Sequence, residues 1–86
     1  MLDDNKVFKG LLEGAIGEWK EGSNLNFPIF YRIDFERNNL VLYSDRPGQL
    51  IGHEGETIED LSIILKEKNL RFNRIDVKKF LGGVVA

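Results

Sequence analysis

The stretch RPGQLIGHEGETIEDL, residues 46–61, holds the residues best suited to chemistry. Gly52 and Gly55 bracket two residues after the apolar pair Leu50 and Ile51, and a helix-like pattern follows. Glycines so placed let a chain turn sharply and let a phosphate come close to the backbone. Amide N–H groups just ahead of a helix favour an anion, because the helix dipole is positive at that end. Yet the same stretch carries Glu54, Glu56, Glu59 and Asp60. Acids in the first turn of a helix stabilise it by about 0.3–1 kcal/mol each, which accounts for Glu56, Glu59 and Asp60. Glu54 lies inside the loop and has no such account. At ~6 Å and an effective dielectric of about 20, its charge and a phosphate would repel by roughly 3 kcal/mol. Salt screening and an outward-pointing side chain would reduce that to below about 1 kcal/mol. His53, the one histidine, could contact a phosphate as a cation or stack on a base as a neutral ring. An exposed loop residue is its plainer reading.

Other chemistries fit less well. HEGE lacks the second histidine of a zinc-protease helix, and no ligand set has metal spacing. His53, Glu54 and Glu56 would hold a cation only weakly. No Lys-Ser or Lys-Thr follows Gly55, so the loop is not a nucleotide-binding P-loop. With no cysteine and no serine paired with a base, nucleophilic catalysis has no candidate. The expectation is a binding protein rather than an enzyme, with no cofactor and no metal.

These loop residues must be positioned by flanking elements. Val7, Phe8, Leu11, Leu12, Ala15, Ile16 and Trp19 recur at helical spacing and predict a helix from about Asp4 to Lys20. Asp3 or Asp4 can cap it and Gly22 suits its end. Gly10, Gly14 and Gly17 fall on the opposite face, each costing roughly 1 kcal/mol of helix propensity. That face reads as weak and exposed; a flat surface for a second backbone is the other reading. Next, Ile29, Tyr31, Ile33 and Phe35 alternate with Phe30, Arg32, Asp34 and Glu36, a strand with one buried face. A two-residue turn at Asn38-Asn39 would set Phe35 opposite Leu42 and Arg37 opposite Leu40, with the apolar sets on one side. Ser44 or Asp45 can cap a short helix that has Pro47 in its first turn, with Leu50 and Ile51 as its buried end. After the glycine loop a helix from about Glu56 to Lys68 turns Ile58, Leu61, Ile64 and Leu65 inward, and Asn69 can end it in a left-handed conformation. Arg74 to Phe80 alternates as a last strand, and residues 81–86 read as a loose tail.

The order is helix, strand, strand, helix, glycine loop, helix, strand. Strands joined through helices lie parallel when adjacent, whereas the hairpin is antiparallel. The expected fold is α+β: a three-stranded mixed sheet with helices packed on one face. At 86 residues the chain predicts a single domain of modest stability. Hydrophobic residues at 42% and charged residues at 30% fit a globular chain. No apolar run approaches the roughly 20 residues of a membrane span. The first ten residues have acids where a secretory signal would be basic, so no membrane partner and a cytoplasmic location are expected. A net charge of −2 argues against nucleic-acid binding by charge alone. Lys66, Lys68, Arg71, Arg74, Lys78 and Lys79 nevertheless make the C-terminal third locally basic.

LIGHEGETIEDL resembles the core of a KH domain: an aliphatic pair, Gly-x-x-Gly, then an aliphatic residue three positions on. Leu50, Ile51, Gly52, Gly55 and Ile58 occupy those places. The preceding RPG, Arg46 to Gly48, is similar to the approach to this loop in the type II domain of small-subunit ribosomal protein three. The element order α-β-β-α-α-β also matches type II, over about Lys6 to Phe80. The resemblance implies binding of single-stranded nucleic acid, usually RNA, with the loop clamping the backbone, and a setting near the ribosome. It implies RNA contacts at Arg46, Gly48, Ile51, Gly52, His53, Glu54, Gly55 and Ile58. Ile51 and Ile58 would form an apolar floor under bases, and Arg46 would pair with a phosphate. Arg71, Arg74, Lys78 and Lys79 would add charge. RNA-binding members usually carry Lys or Arg where this chain has His53 and Glu54. The competing reading is therefore a KH fold that binds a ribosomal or other protein and has lost RNA binding.

Overall fold

The computed structural model describes residues 4–80, with side chains described from residue 6 onward. The tail expected over residues 81–86 and the cap expected at Asp3 lie outside the described residues, and the alternative cap, Asp4, is described in its backbone alone. Helix α1 spans Asp4–Gly22, strand β1 Phe30–Asp34, strand β2 Asn39–Ser44 and helix α2 Pro47–Ile51. A 3-10 turn, His53–Gly55, leads into helix α3, Glu56–Glu67, and strand β3 is Arg74–Lys79. The sheet order is β1-β2-β3, with β1 antiparallel and β3 parallel to β2. The α+β architecture and its mixed sheet are those expected from the pattern. No helix among the described residues is long and apolar enough to cross a membrane.

The core shows why the helices share one face. Leu12, Ala15, Ile16 and Trp19 of α1 meet Leu50 of α2, Leu61 and Leu65 of α3, and Leu40 and Leu42 of β2. Alternate residues of a strand point to opposite faces, so Leu40 and Leu42 mark the helix-covered side. On the other face Phe30, opposite Tyr43, stacks on Phe80 with ring centroids 5.0 Å apart. The long helices end alike. Asn24 and Asn69 take positive φ, and the next residue, Leu25 or Leu70, donates its N–H to a carbonyl five residues back, Lys20 at 2.9 Å or Leu65 at 2.8 Å. Both leucines are buried, the hydrophobic contact of a Schellman C-cap. Asn24, rather than Gly22, thus supplies the left-handed residue that ends α1.

Four further expectations are corrected. The hairpin turn has four residues, 35–38, and only Asn38 within it takes positive φ. Leu42 lies opposite Tyr31 and Leu40 opposite Ile33. The displacement from Phe35 to Tyr31 is even, so the faces survive, but Phe35 leaves the sheet and is 78% exposed. The cause is local: the Asp34 carboxylate accepts the Arg37 N–H at 3.3 Å, and buried Asn39 belongs to β2. Second, Ile51 is exposed while Leu50 is buried. Successive helical residues point about 100° apart, so a five-residue helix buries one of the two. Third, Val7 and Leu11 are exposed; in that part of α1 it is Phe8 that packs inward, against Phe72. Fourth, α2 has no side-chain cap: its N-cap is Arg46, whose N–H donates to Ser44 Oγ at 3.0 Å.

Candidate nucleic-acid interface

The glycine loop is shaped by three left-sided φ angles. Gly52 has φ 78° and ψ 179°, Glu54 φ 53° and ψ 26°, and Gly55 φ 79° and ψ 11°. The Gly52 conformation is one that only glycine adopts readily. A Cβ there would also meet Thr57, coming within 2.9 Å of its backbone nitrogen. At Gly55 a Cβ would meet nothing within 4 Å. Glu54 in the left-handed region costs roughly 1–2 kcal/mol. The loop is braced from below. Buried Trp19 donates its Nε1–H to the Thr57 carbonyl at 2.7 Å, tying α1 to the first turn of α3.

Part of the loop's donor set is already used. The Gly52 N–H donates to the Gly48 carbonyl at 3.0 Å, the Gly55 N–H to the Gly52 carbonyl at 3.3 Å, and the Glu56 N–H to the His53 carbonyl. The N–H groups of His53 and Glu54 have no acceptor among the described residues. The side chains of His53 and Glu54 are 85% and 81% exposed and 3.9 Å apart, a separation and exposure at which an ion pair contributes little. Glu54 therefore projects into solvent, where its repulsion of a phosphate is weakest.

A groove of about 660 Å³ runs between α3, from Ile58 onward, and the start of β3. Its apolar lining is Ile58, Leu65, Leu70, Phe72 and Ile75, and Ser62 and Asn73 add polar groups. Lys66, Arg71 and Arg74 supply cations and Glu59 the acid. Arg74 pairs with Asp76 at 2.8 Å. Strand β3 is an edge strand among the described residues, so one row of its backbone groups has no strand partner there.

The structure brings Ile58, Arg71 and Arg74 together at this groove, with Ile58 at the end nearer the Gly52–Gly55 loop and Arg71 and Arg74 past the opposite end of α3; none of Gly52, His53, Glu54 and Gly55 lines it. Arg46 stands apart, its guanidinium carbon 5.7 Å from the Phe27 ring centroid. Gly48 and Ile51 are exposed and outside the groove lining, so the apolar floor is made by Ile58 without Ile51. Lys78 and Lys79 also lie outside it, opposite Tyr43 and Ser44 at the far end of β3. Sequence reasoning missed Ser62, Phe72, Asn73 and Ile75 as groove residues. Asn73 carried a readable signal, a turn-forming residue just before a basic strand. No family model matches this chain, and no curated protein or solved structure matches it.

Proposed function

We propose that this chain binds single-stranded nucleic acid, RNA above all, in the manner of a type II KH domain. The observation that carries the reading is the groove between α3 and edge strand β3, whose lining starts at Ile58 and Glu59 in the first turns of α3, after the Gly52–Gly55 turn. Its apolar walls suit unstacked bases, and the open edge of β3 offers hydrogen-bonding groups to base edges. Lys66, Arg71 and Arg74 stand where a backbone would pass. Glu54 and Glu59 make the interaction weak. Three phosphate contacts on a single strand give a log–log salt slope of about −2, and the Arg74–Asp76 pair makes it shallower.

The test is titration of a fluorescein-labelled single-stranded RNA pool at low salt, followed by anisotropy. Gly55→Asp is the informative variant: an added Cβ meets nothing within 4 Å, and the left-handed φ costs roughly 1–2 kcal/mol, so a variant that still unfolds cooperatively by circular dichroism carries a carboxylate in an otherwise intact loop. The expected result is salt-sensitive binding that Gly55→Asp abolishes. No binding by the natural chain, or binding unchanged by the variant, refutes the reading. The exposed Glu54 favours one competitor, a protein-binding module. A stable protein complex in a pull-down, with no RNA shift, would establish that competitor instead.

A further inference from the structure

We propose that the hairpin turn, residues 35–38, is a second nucleic-acid contact that prolongs the groove. Phe35 would stack on a base and Arg37 would hold a phosphate. The inference rests on the reading of the groove given above.

Phe35 is the most exposed large apolar side chain among the described residues, at 78%. A lone exposed ring on a mobile loop means little, but this turn is fastened at four points. The Arg37 N–H donates to Asp34 Oδ1 at 3.3 Å. The Asn73 side chain donates to the Arg37 carbonyl at 2.7 Å, and the Asn73 N–H to the Asn38 carbonyl at 2.7 Å. The Asn38 side chain in turn donates to the Arg71 carbonyl at 3.0 Å. Two asparagines thus clasp the turn to the segment that lines the end of the groove. A ring held in place loses little freedom when a ligand docks.

The local charge suits an anionic chain. Arg37 and Arg71 are exposed, and neither forms an ion pair among the described residues. Glu36 is the one acid within the turn. An exposed aromatic beside unpaired guanidinium groups matches the stacked base and adjacent phosphate of a single strand. Continuity with the groove selects the same strand as the occupant. One ring is too small an apolar area to attract a protein by itself.

The 86-residue chain, with Phe35→Ala and Arg37→Ala variants, is titrated with labelled mixed-sequence RNA of four and of eight nucleotides. Four nucleotides fill a KH-type clamp; the longer strand reaches the turn. Phe35→Ala is expected to weaken eight-nucleotide binding about tenfold. Arg37→Ala is expected to weaken it several-fold and to make its salt dependence shallower. Both should leave four-nucleotide binding and the unfolding midpoint unchanged. If the natural chain binds both lengths and the variants lose neither, or lose both equally, the hairpin contact is overturned and the groove reading stands. If the natural chain binds neither, both are overturned.

Discussion

Gly52 and Gly55 look equivalent in a Gly-x-x-Gly motif, and the structure predicts that they are not. Replacing Gly52 with Ala forces a Cβ onto a backbone at φ 78° and ψ 179°, a conformation that costs a non-glycine residue about 1–3 kcal/mol. The added carbon would lie 2.7 Å from Thr57 Cβ and 2.9 Å from Thr57 N, with Oγ1 closer still. The hydroxyl can rotate away. The Cβ and the nitrogen cannot, because Thr57 is in the first turn of α3 and its carbonyl is held by Trp19. Overpacking of this kind costs typically 1–3 kcal/mol, so the total is about 2–6 kcal/mol. Gly55→Ala meets no atom and carries only the left-handed cost of roughly 1–2 kcal/mol, partly offset by a stiffer unfolded chain. For a domain this small, each kcal/mol moves the midpoint by about 4–8 °C. Thermal unfolding followed by far-ultraviolet circular dichroism should therefore place Gly52→Ala at least about 8 °C below the natural chain, with Gly55→Ala between them. A Gly55→Ala protein as unstable as Gly52→Ala, or a Gly52→Ala protein within about 2 °C of the natural chain, would refute the reasoning.

Glu54→Lys should raise RNA affinity about three- to tenfold at low salt, by removing one repulsion and adding one attraction, and the gain should shrink as ionic strength rises. A gain independent of salt in anisotropy titrations would show that the charge is not its cause. Trp19→Phe removes the second donor to the Thr57 carbonyl, which keeps its bond within α3, and should cost about 0.5–1.5 kcal/mol in urea unfolding from the lost hydrogen bond. Gly14→Gln should stabilise α1 by roughly 0.5–1 kcal/mol, since nothing lies within 4 Å of its Cβ position; loss of stability would show that this face is not free. Tyr31 has its pKa raised above 10.0, first by desolvation and then by the hydrogen bond and charge of Glu13. The folded chain holds that proton more tightly than the unfolded chain. The contribution is therefore complete below pH 10.0 and lost as pH rises through the higher folded value. Midpoints measured from pH 9 to pH 11 should accordingly fall more for the natural chain than for Tyr31→Phe, and parallel curves would contradict this.

Periodicity carried most of the fold because it reports burial, and the main core lies on the helix-covered face of the sheet, with only Val41 and Tyr43 of β2 buried among the apolar residues of the other face. Leu12, Ala15, Ile16 and Trp19 read correctly because α3 covers them. Val7 and Leu11 share their spacing but not their cover, and pattern alone cannot say where a partner helix stops. The hairpin was misread for a related reason. Asn-Asn is a good two-residue turn in isolation, but the Asn38 and Asn73 side chains find partners about 35 residues away, a preference that no local window contains. The same clasp hid half of the candidate site. Arg71 and Arg74 were visible as charges, yet what places them at a groove is the junction of two loops far apart in the chain.

Glu54 is where local and global evidence meet. Its neighbours Glu56 and Glu59 sit in the first turn of α3, where acids stabilise the helix whatever the protein does. Glu54 sits one step earlier, in a left-handed conformation that asparagine or glycine would occupy at lower cost. Among the described residues its one ion-pair partner is a solvated histidine at 3.9 Å. A fully solvated carboxylate ahead of the helix gains at most a few tenths of a kcal/mol from the dipole, about 0.3 kcal/mol at this exposure, and that does not offset the left-handed cost of roughly 1–2 kcal/mol where Glu54 stands. What remains is what approaches the loop. If that is a phosphate, Glu54 sets its affinity low and Glu54→Lys restores it. If it is a basic protein surface, the same substitution destroys the complex. One variant assayed against both ligands therefore separates the two functions by the sign of its effect.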